Sequence, residues 1–159
     1  MKTLQNWFMV IATLILVLSI ISCEKDKIED PLVFTSEISG SWKVISFEDY
    51  VTSTKTIKTI DNTWECCKGD NTANFTMSNS TEGIVEGHNV TNTFHGNFVI
   101  DLKGRIFIYN VIWTMVGEPE WGNMFHSIQD AERYEIKNDQ LIIYYNQNKN
   151  SITLQGTDK

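Results

Sequence analysis

Two adjacent cysteines, Cys66 and Cys67, three histidines and a few closely spaced carboxylates are the groups in this chain with reactive or ligating chemistry. Consecutive Cα atoms lie about 3.8 Å apart across a trans peptide. Ordinary disulfides span roughly 4.4–6.8 Å, so a vicinal Cys66–Cys67 disulfide carries strain. The sequence leaves that bridge open against two free thiols in an irregular loop, Trp64 to Asp70, an intermolecular bridge or a soft-metal site. His88 and His95 lie seven residues apart with Glu86 close by. Histidine and glutamate bind zinc in the right geometry, but this spacing matches no recognised ligand pair, and no metal is expected. His126, between Phe125 and Ser127, reads as a partly exposed packing residue. Glu118 and Glu120 flank Pro119 at an expected helix start, where negative charge complements the helix dipole, which accounts for them without a general acid–base pair. Phosphate loops, GxSxG elbows, HExxH and CxxC motifs are absent from the sequence. These readings predict a protein that is not an enzyme and needs no cofactor.

The elements that position these groups read as strands. From Ser39 onward the hydrophobic period is two rather than 3.6. It predicts strands over 41–47, 54–60, 73–78, 83–87, 94–102, 105–115, 141–145 and 151–154. Lys103-Gly104 and the stretch Gln147-Asn148-Lys149-Asn150 read as hairpin turns. One segment breaks the pattern. Trp121, Met124, Phe125 and Ile128 recur at i, i+3, i+4 and i+7, predicting a helix of about twelve residues. It would start at Pro119, which suits a first helical position, and end near Glu132. Ile106, Ile108 and Ile112 fall on one face of a long strand, with Phe107, Tyr109, Val111 and Trp113 on the other. A strand apolar on both faces is covered twice, and the helix is the expected outer cover. The sum is a mainly β domain, a small antiparallel, partly open barrel with one covering α-helix. Trp42, Trp113, Phe98 and Tyr145 are expected to fill its interior.

Composition limits the partners. The 159 residues are 42% hydrophobic and 11% aromatic, enough for one domain with a core, and carry a formal charge of −7. A polyanion is repelled by such a chain, so nucleic acid is excluded as an expected partner. Asn74-Phe75-Thr76, Asn79-Ser80-Thr81 and Asn89-Val90-Thr91 match the N-glycosylation pattern and read as polar strand positions.

The N-terminus reads as an address. Lys2 precedes fifteen uncharged residues, Trp7 to Ile21. That is short of the roughly 20 needed to span a bilayer and has the length of a signal-peptide hydrophobic region. Ile20-Ile21-Ser22-Cys23 resembles the bacterial lipoprotein signal. The resemblance implies cleavage before Cys23, with a diacylglycerol thioether on its sulfur and an acylated amine. Two or more acyl chains are what stable anchoring takes. With Cys23 lipidated, Cys66 and Cys67 can pair within the chain only with each other. Residues 1–22 are thus expected to be a signal peptide, and 23–36 a lipidated flexible tether of roughly 20 Å reach. Residues 37–159 would form the barrel domain. Losing the leader removes Lys2 alone, leaving 12 basic against 20 acidic residues, so retention at an anionic surface must come from lipid. Glu24 after the cysteine favours the outer membrane by resemblance to enteric sorting rules. Whether the domain faces the periplasm or the surface stays open.

The stretch from Phe75 to Leu154 resembles the META domain of HslJ-type heat-inducible proteins. The residues that carry it are Gly83 and Gly87, Asn92-Thr93-Phe94-His95-Gly96-Asn97-Phe98, Trp113-Thr114-Met115, and Tyr134-Glu135-Ile136-Lys137-Asn138-Asp139-Gln140-Leu141. Ser41-Trp42-Lys43-Val44 resembles the opening strand that this family shares with lipocalin-like barrels. The family commonly has a cysteine before the asparagine and another after the Thr-x strand. Here Thr91 holds the first place and no cysteine the second, so no redox role transfers on that pair. The resemblance implies a small barrel with a helix and no demonstrated catalysis, associated with envelope stress. The expected function is therefore a non-catalytic, membrane-anchored envelope lipoprotein that binds an envelope component or supports stress tolerance. A lipocalin-like carrier of a small apolar ligand is the alternative.

Overall fold

The computed structural model describes residues 37–65 and 69–157. The leader, Cys23, the tether and the pair Cys66 and Cys67 lie outside the described residues. Nine strands form one antiparallel sheet: β1 (Gly40–Asp49), β2 (Thr54–Thr56), β3 (Thr72–Met77), β4 (Glu82–His88), β5 (Thr93–Ile100), β6 (Ile106–Trp113), β7 (Arg133–Lys137), β8 (Gln140–Tyr145) and β9 (Asn150–Gly156). The order across the sheet is β6-β5-β4-β3-β1-β9-β8-β7, with β2 paired to the far half of β1. The sheet curls into a half-barrel with, among the described residues, one short helix, α1 (Glu120–Met124), continued by a 3₁₀ segment, Phe125–Asp130.

Turn chemistry sets the register. Asn138 and Asp139 both have positive φ, at 53° and 61°, the conformation that a two-residue hairpin loop demands. Asp101 accepts the Lys103 and Arg105 amides at 2.9 and 3.0 Å, and Gly104 takes a φ of +75°. In β4, Gly83 and Gly87 stand opposite Phe98 and Phe94. A Cβ at either glycine would come within 2.7 Å of the facing aromatic ring, so glycine here makes room for the rings to lie across the strand. The expected strand over 54–60 stops at Thr56. Beyond it the backbone bonds to side chains instead: Asn62 accepts the Thr59 amide at 2.8 Å and donates to the Ile57 carbonyl at 2.9 Å. Asparagine and threonine offer the backbone such alternatives to a ladder.

The two end strands, β6 and β7, meet at a single corner. There the Tyr134 amide donates to the Gly104 carbonyl at 2.8 Å and the Ile106 amide to the Glu132 carbonyl at 3.1 Å. Away from that corner β6 loses its strand neighbour, and the helical segment packs beside it and against β8. Trp121, Phe125 and Ile128 are fully buried in the same cluster as Phe47, Phe75, Phe98, Leu141 and Ile152. Trp121 meets Phe47 edge-on at 4.9 Å, and Phe125 meets Phe94 at 5.8 Å. Each aromatic side chain buried in this way stabilises the fold by about 1.5–3 kcal/mol. Trp42 and Phe98 belong to this core, with Trp113 and Tyr145 partly buried against it.

Three expectations about this region are corrected. Ile112 does not share a face with Ile106 and Ile108. Asn110 adopts a left-handed φ of 53° opposite Gly96, and the register of β5 and β6 shifts there. The extra residue reverses the alternation. Val111 and Trp113 therefore turn toward the core, while Phe107 and Ile112 are exposed. Consequently the helix covers the open side of the barrel through its core-facing surface, and does not lie on the outer face of β6. The helix is also shorter in α form than expected, with the 3₁₀ turn carrying Phe125 and Ile128.

Phe125→Ala should cost about 3–5 kcal/mol in urea unfolding followed by tryptophan fluorescence. Phe107→Ala, on the exposed face, should change stability by no more than about 0.5 kcal/mol. Comparable losses would mean that the outer face of β6 is covered after all.

Candidate functional site

The turn between β4 and β5 meets the loop that leaves β6, and three polar side chains join them. Asn89 and Asn92 close the turn on each other: the Asn89 amide donates to the Asn92 carbonyl at 2.9 Å, and the Asn92 amide to Asn89 Oδ1 at 2.8 Å. Asn92 then treats Val116 as a strand partner. Its Oδ1 accepts the Val116 amide at 2.7 Å and its Nδ2 donates to the Val116 carbonyl at 2.9 Å. The same Nδ2 reaches Glu118 Oε2 at 2.6 Å, and Thr91 adds its amide at 3.1 Å and its hydroxyl at 2.5 Å to the Glu118 carboxylate. A five-residue helix leaves most of its carbonyls without intrahelical partners. Here Asn71 Nδ2 donates to the Trp121 carbonyl at 2.8 Å and Asn89 Nδ2 to the Gly122 carbonyl at 3.3 Å. Gly122 permits the arrangement, because a Cβ there would overlap the Glu118 carboxylate.

Above this network lies a groove of about 600 Å³, lined by Asn92, Glu118, Asn123 and His126 on its polar side and by Trp113, Met115 and Val116 on its apolar side. The Trp113 indole stacks on Phe94 at 4.5 Å and tilts against His126 at 4.2 Å. His126 Nε2 lies 3.4 Å from Asn89 Nδ2. Met115 is 97% exposed and Val116 63%, with exposed Ile112 preceding them. The Trp64 ring approaches Gly117 from the neighbouring loop. Chemically, Asn92 spends donors and acceptor on Val116 and Glu118, and Glu118 is held by Thr91 and Asn92. What remains is apolar surface, the His126 ring and the unpartnered Trp113 Nε1 beside one fixed negative charge.

The other residues singled out by sequence fall elsewhere. Glu86 and His95 stand directly opposite each other across β4 and β5 on the solvent face, and His88 lies on the same face two residues along. The His88 ring sits on the Asn89 carbonyl at 3.2 Å. Among the described residues no three histidine, cysteine, aspartate or glutamate side chains are placed to hold a metal ion. Glu120 is in the first helical turn, as expected for a charge facing the dipole, whereas Glu118 bonds across to the β4–β5 turn. Asn74 lies exposed on β3, Asn79 binds its own turn through the Thr81 and Glu82 amides, and Asn89 is buried. The structural weight of Asn71, Asn89 and Asn92 was not legible as spacing. The available signal was three asparagines close to turn positions in a chain whose short helix needs outside donors.

Beside the site, Asp70 bridges Lys43 and Lys58, each at 2.7 Å, and Lys58 also donates to the Gly69 carbonyl at 2.8 Å. Burial alone would push the Asp70 carboxyl up. The hydrogen bonds and charges of the two lysines outweigh it and hold the group below its ordinary range. This knot fixes the backbone next to Asn71.

Fold and groove together define a curled antiparallel half-barrel with a polar-pinned apolar surface groove. No protein-family model matches the chain, and no curated protein matches it in sequence. Among solved structures it is similar to a DUF4847 family protein from Bacteroides vulgatus ATCC 8482, with a TM-score of 0.56 and 16% identity over 78% of this chain and 96% of that one. That likeness is one of fold.

Asn92→Ala should destabilise the domain by about 2–3 kcal/mol, because it strands the Val116 amide and removes a donor from Glu118. Combined with Glu118→Ala, a double-mutant cycle should show coupling of about 0.5–3 kcal/mol; additive losses would mean that the two side chains act separately. Because the folded-state pKa of Asp70 is depressed, its stabilisation is full above the unfolded value near 3.9 and is lost as pH falls through the folded value. Asp70→Asn should accordingly flatten the stability profile below about pH 4. An unchanged acid limb would contradict the bridge.

Proposed function

We propose that the protein is a non-catalytic envelope lipoprotein with a META-type barrel, anchored through Cys23 at the outer membrane, whose domain recognises a partner through the groove beneath Met115 and Val116. One observation supports recognition over catalysis. Asn92, Thr91 and Glu118 at the groove are bonded to one another and to backbone, while the apolar lip is exposed. Polar groups that hold a loop in place leave its apolar side chains as the contact surface, and exposed apolar patches mark interaction sites. The lipoprotein-like junction at Cys23 supports the location, and the META-like motifs support an envelope role without chemistry.

The carrier reading draws on the size of the groove, which falls within the roughly 300–1,000 Å³ usual for small-molecule sites. The barrel interior itself is occupied by Phe47, Phe75, Phe98, Trp121 and Phe125, so a carried ligand would sit in the groove rather than in a calyx.

Two measurements in a bacterial host test the proposal. Cys23→Ala should move the protein out of the detergent phase and leave it without added acyl mass; unchanged partitioning would overturn the anchoring. A photocrosslinking residue at Met115 should yield a discrete adduct in intact cells, and one at Lys137 should not. Equal or absent adducts at both positions would overturn recognition through the groove.

A further inference from the structure

We infer that the groove docks an extended peptide segment of an envelope protein in which apolar residues are accompanied by lysine or arginine. This rests on the recognition reading above and adds the chemistry of the partner. The apolar part of the groove is Trp113, Met115 and Val116, the last two exposed, and the exposed Trp64 ring lies beside it at Gly117. Its charge is one-sided. Glu118 lines the groove, Glu120 and Glu65 are exposed next in sequence to Trp121 and Trp64, and among the described residues no lysine or arginine lines it. Glu118 is held by neutral donors, Thr91 and Asn92, so among the described residues its charge meets no cation. The described ion pairs likewise involve other carboxylates; Lys43 and Lys58 are committed to Asp70. Residues 37–157 carry 15 acidic against 9 basic side chains, so the wider surface reinforces the same sign.

Charge selects among the occupants that an apolar groove can take. An anionic lipid headgroup would be repelled by the carboxylates. A second copy docked through the same patch would bring Glu118 and Glu120 face to face with themselves, as an isologous contact requires. A plain hydrocarbon would desolvate the carboxylates without supplying a counter-charge. A segment with alternating apolar and cationic side chains satisfies both halves of the surface. Its apolar side chains cover Met115, Val116 and Trp64, and its cations pair with Glu118 and Glu120.

The test uses the lipidated full chain in zwitterionic nanodiscs, with empty nanodiscs as reference, and fluorescent twelve-residue peptides read by anisotropy. The probes are alternating Leu/Lys, alternating Leu/Glu and alternating Ser/Lys. The Leu/Lys peptide should bind at least tenfold more tightly than the other two, and its Kd should rise with salt. Met115→Glu with Val116→Glu, at exposed positions that leave the core untouched, should weaken it at least tenfold, as should Glu120→Lys. Equal binding of all three peptides, or Leu/Lys binding that ignores these variants, would overturn the proposal. So would tighter association with anionic vesicles, or a dimer in light scattering that the Met115→Glu, Val116→Glu variant dissolves. If the Leu/Lys peptide fails while the cellular adduct at Met115 persists, the partner chemistry falls and the groove reading stands.

Discussion

A sheet whose end strands touch at only one corner must have its apolar interior closed by something else. In this protein the corner between Gly104 and Tyr134 fixes where β6 and β7 part, and everything from Thr114 to Glu132 follows from that gap. Trp121, Phe125 and Ile128 enter the core because the missing strand contacts leave room for them. The segment is short and only partly α-helical, since its task is to fill an irregular opening rather than to build an independent helix. Isolated helices of this length have no stability of their own in water. Their order here comes from burial and from bonds supplied by other elements.

Those bonds connect the fold to the candidate site. The carbonyls of Trp121 and Gly122 are taken up by Asn71 and Asn89, and the loop before the helix is taken up by Asn92 and Glu118. Buried polar groups that lack partners are costly, so a plug with exposed backbone ends could not enter an apolar core without such donors. The same network fixes the loop from Thr114 to Glu118 with its apolar side chains outward. The exposed apolar lip and the core closure are thus two sides of one segment. The groove is a consequence of how the barrel is shut.

Much of this was legible from residue order, for identifiable reasons. Alternation located β3 to β6, which set one face on the core and one toward solvent, and runs of β-branched and aromatic residues located β1, β8 and β9, the last buried on both faces. The i, i+3, i+4, i+7 pattern located the plug and its buried residues, Trp121, Phe125 and Ile128, since burial selects that spacing whether the backbone closes as α or 3₁₀. The alternation failed at Asn110, where a single left-handed residue reversed the faces of β6, and it failed after Thr56, where side-chain bonds from Asn62 displaced the ladder. The site was less legible than the fold. Glu118 was visible as a charge before a helix, but its reach to Thr91 and Asn92 depends on two loops meeting in space, which no local spacing encodes. His88, His95 and Glu86 do share a face, as strand parity requires, yet lie on solvent-facing sheet away from the groove.

The central claim is that the segment from Thr114 to Glu132 belongs to the barrel core and opens only with it. Native-state amide hydrogen exchange, followed residue by residue, tests this most directly. Amides of Trp121, Asn123, Phe125 and Val116 should exchange with the same opening free energy as those of Val44 and Leu154 in the central strands, because their release unfolds the whole domain. Exchange of the segment through a separate, lower-energy opening while β1 and β9 stay protected would show a detachable flap on a barrel that is stable without it.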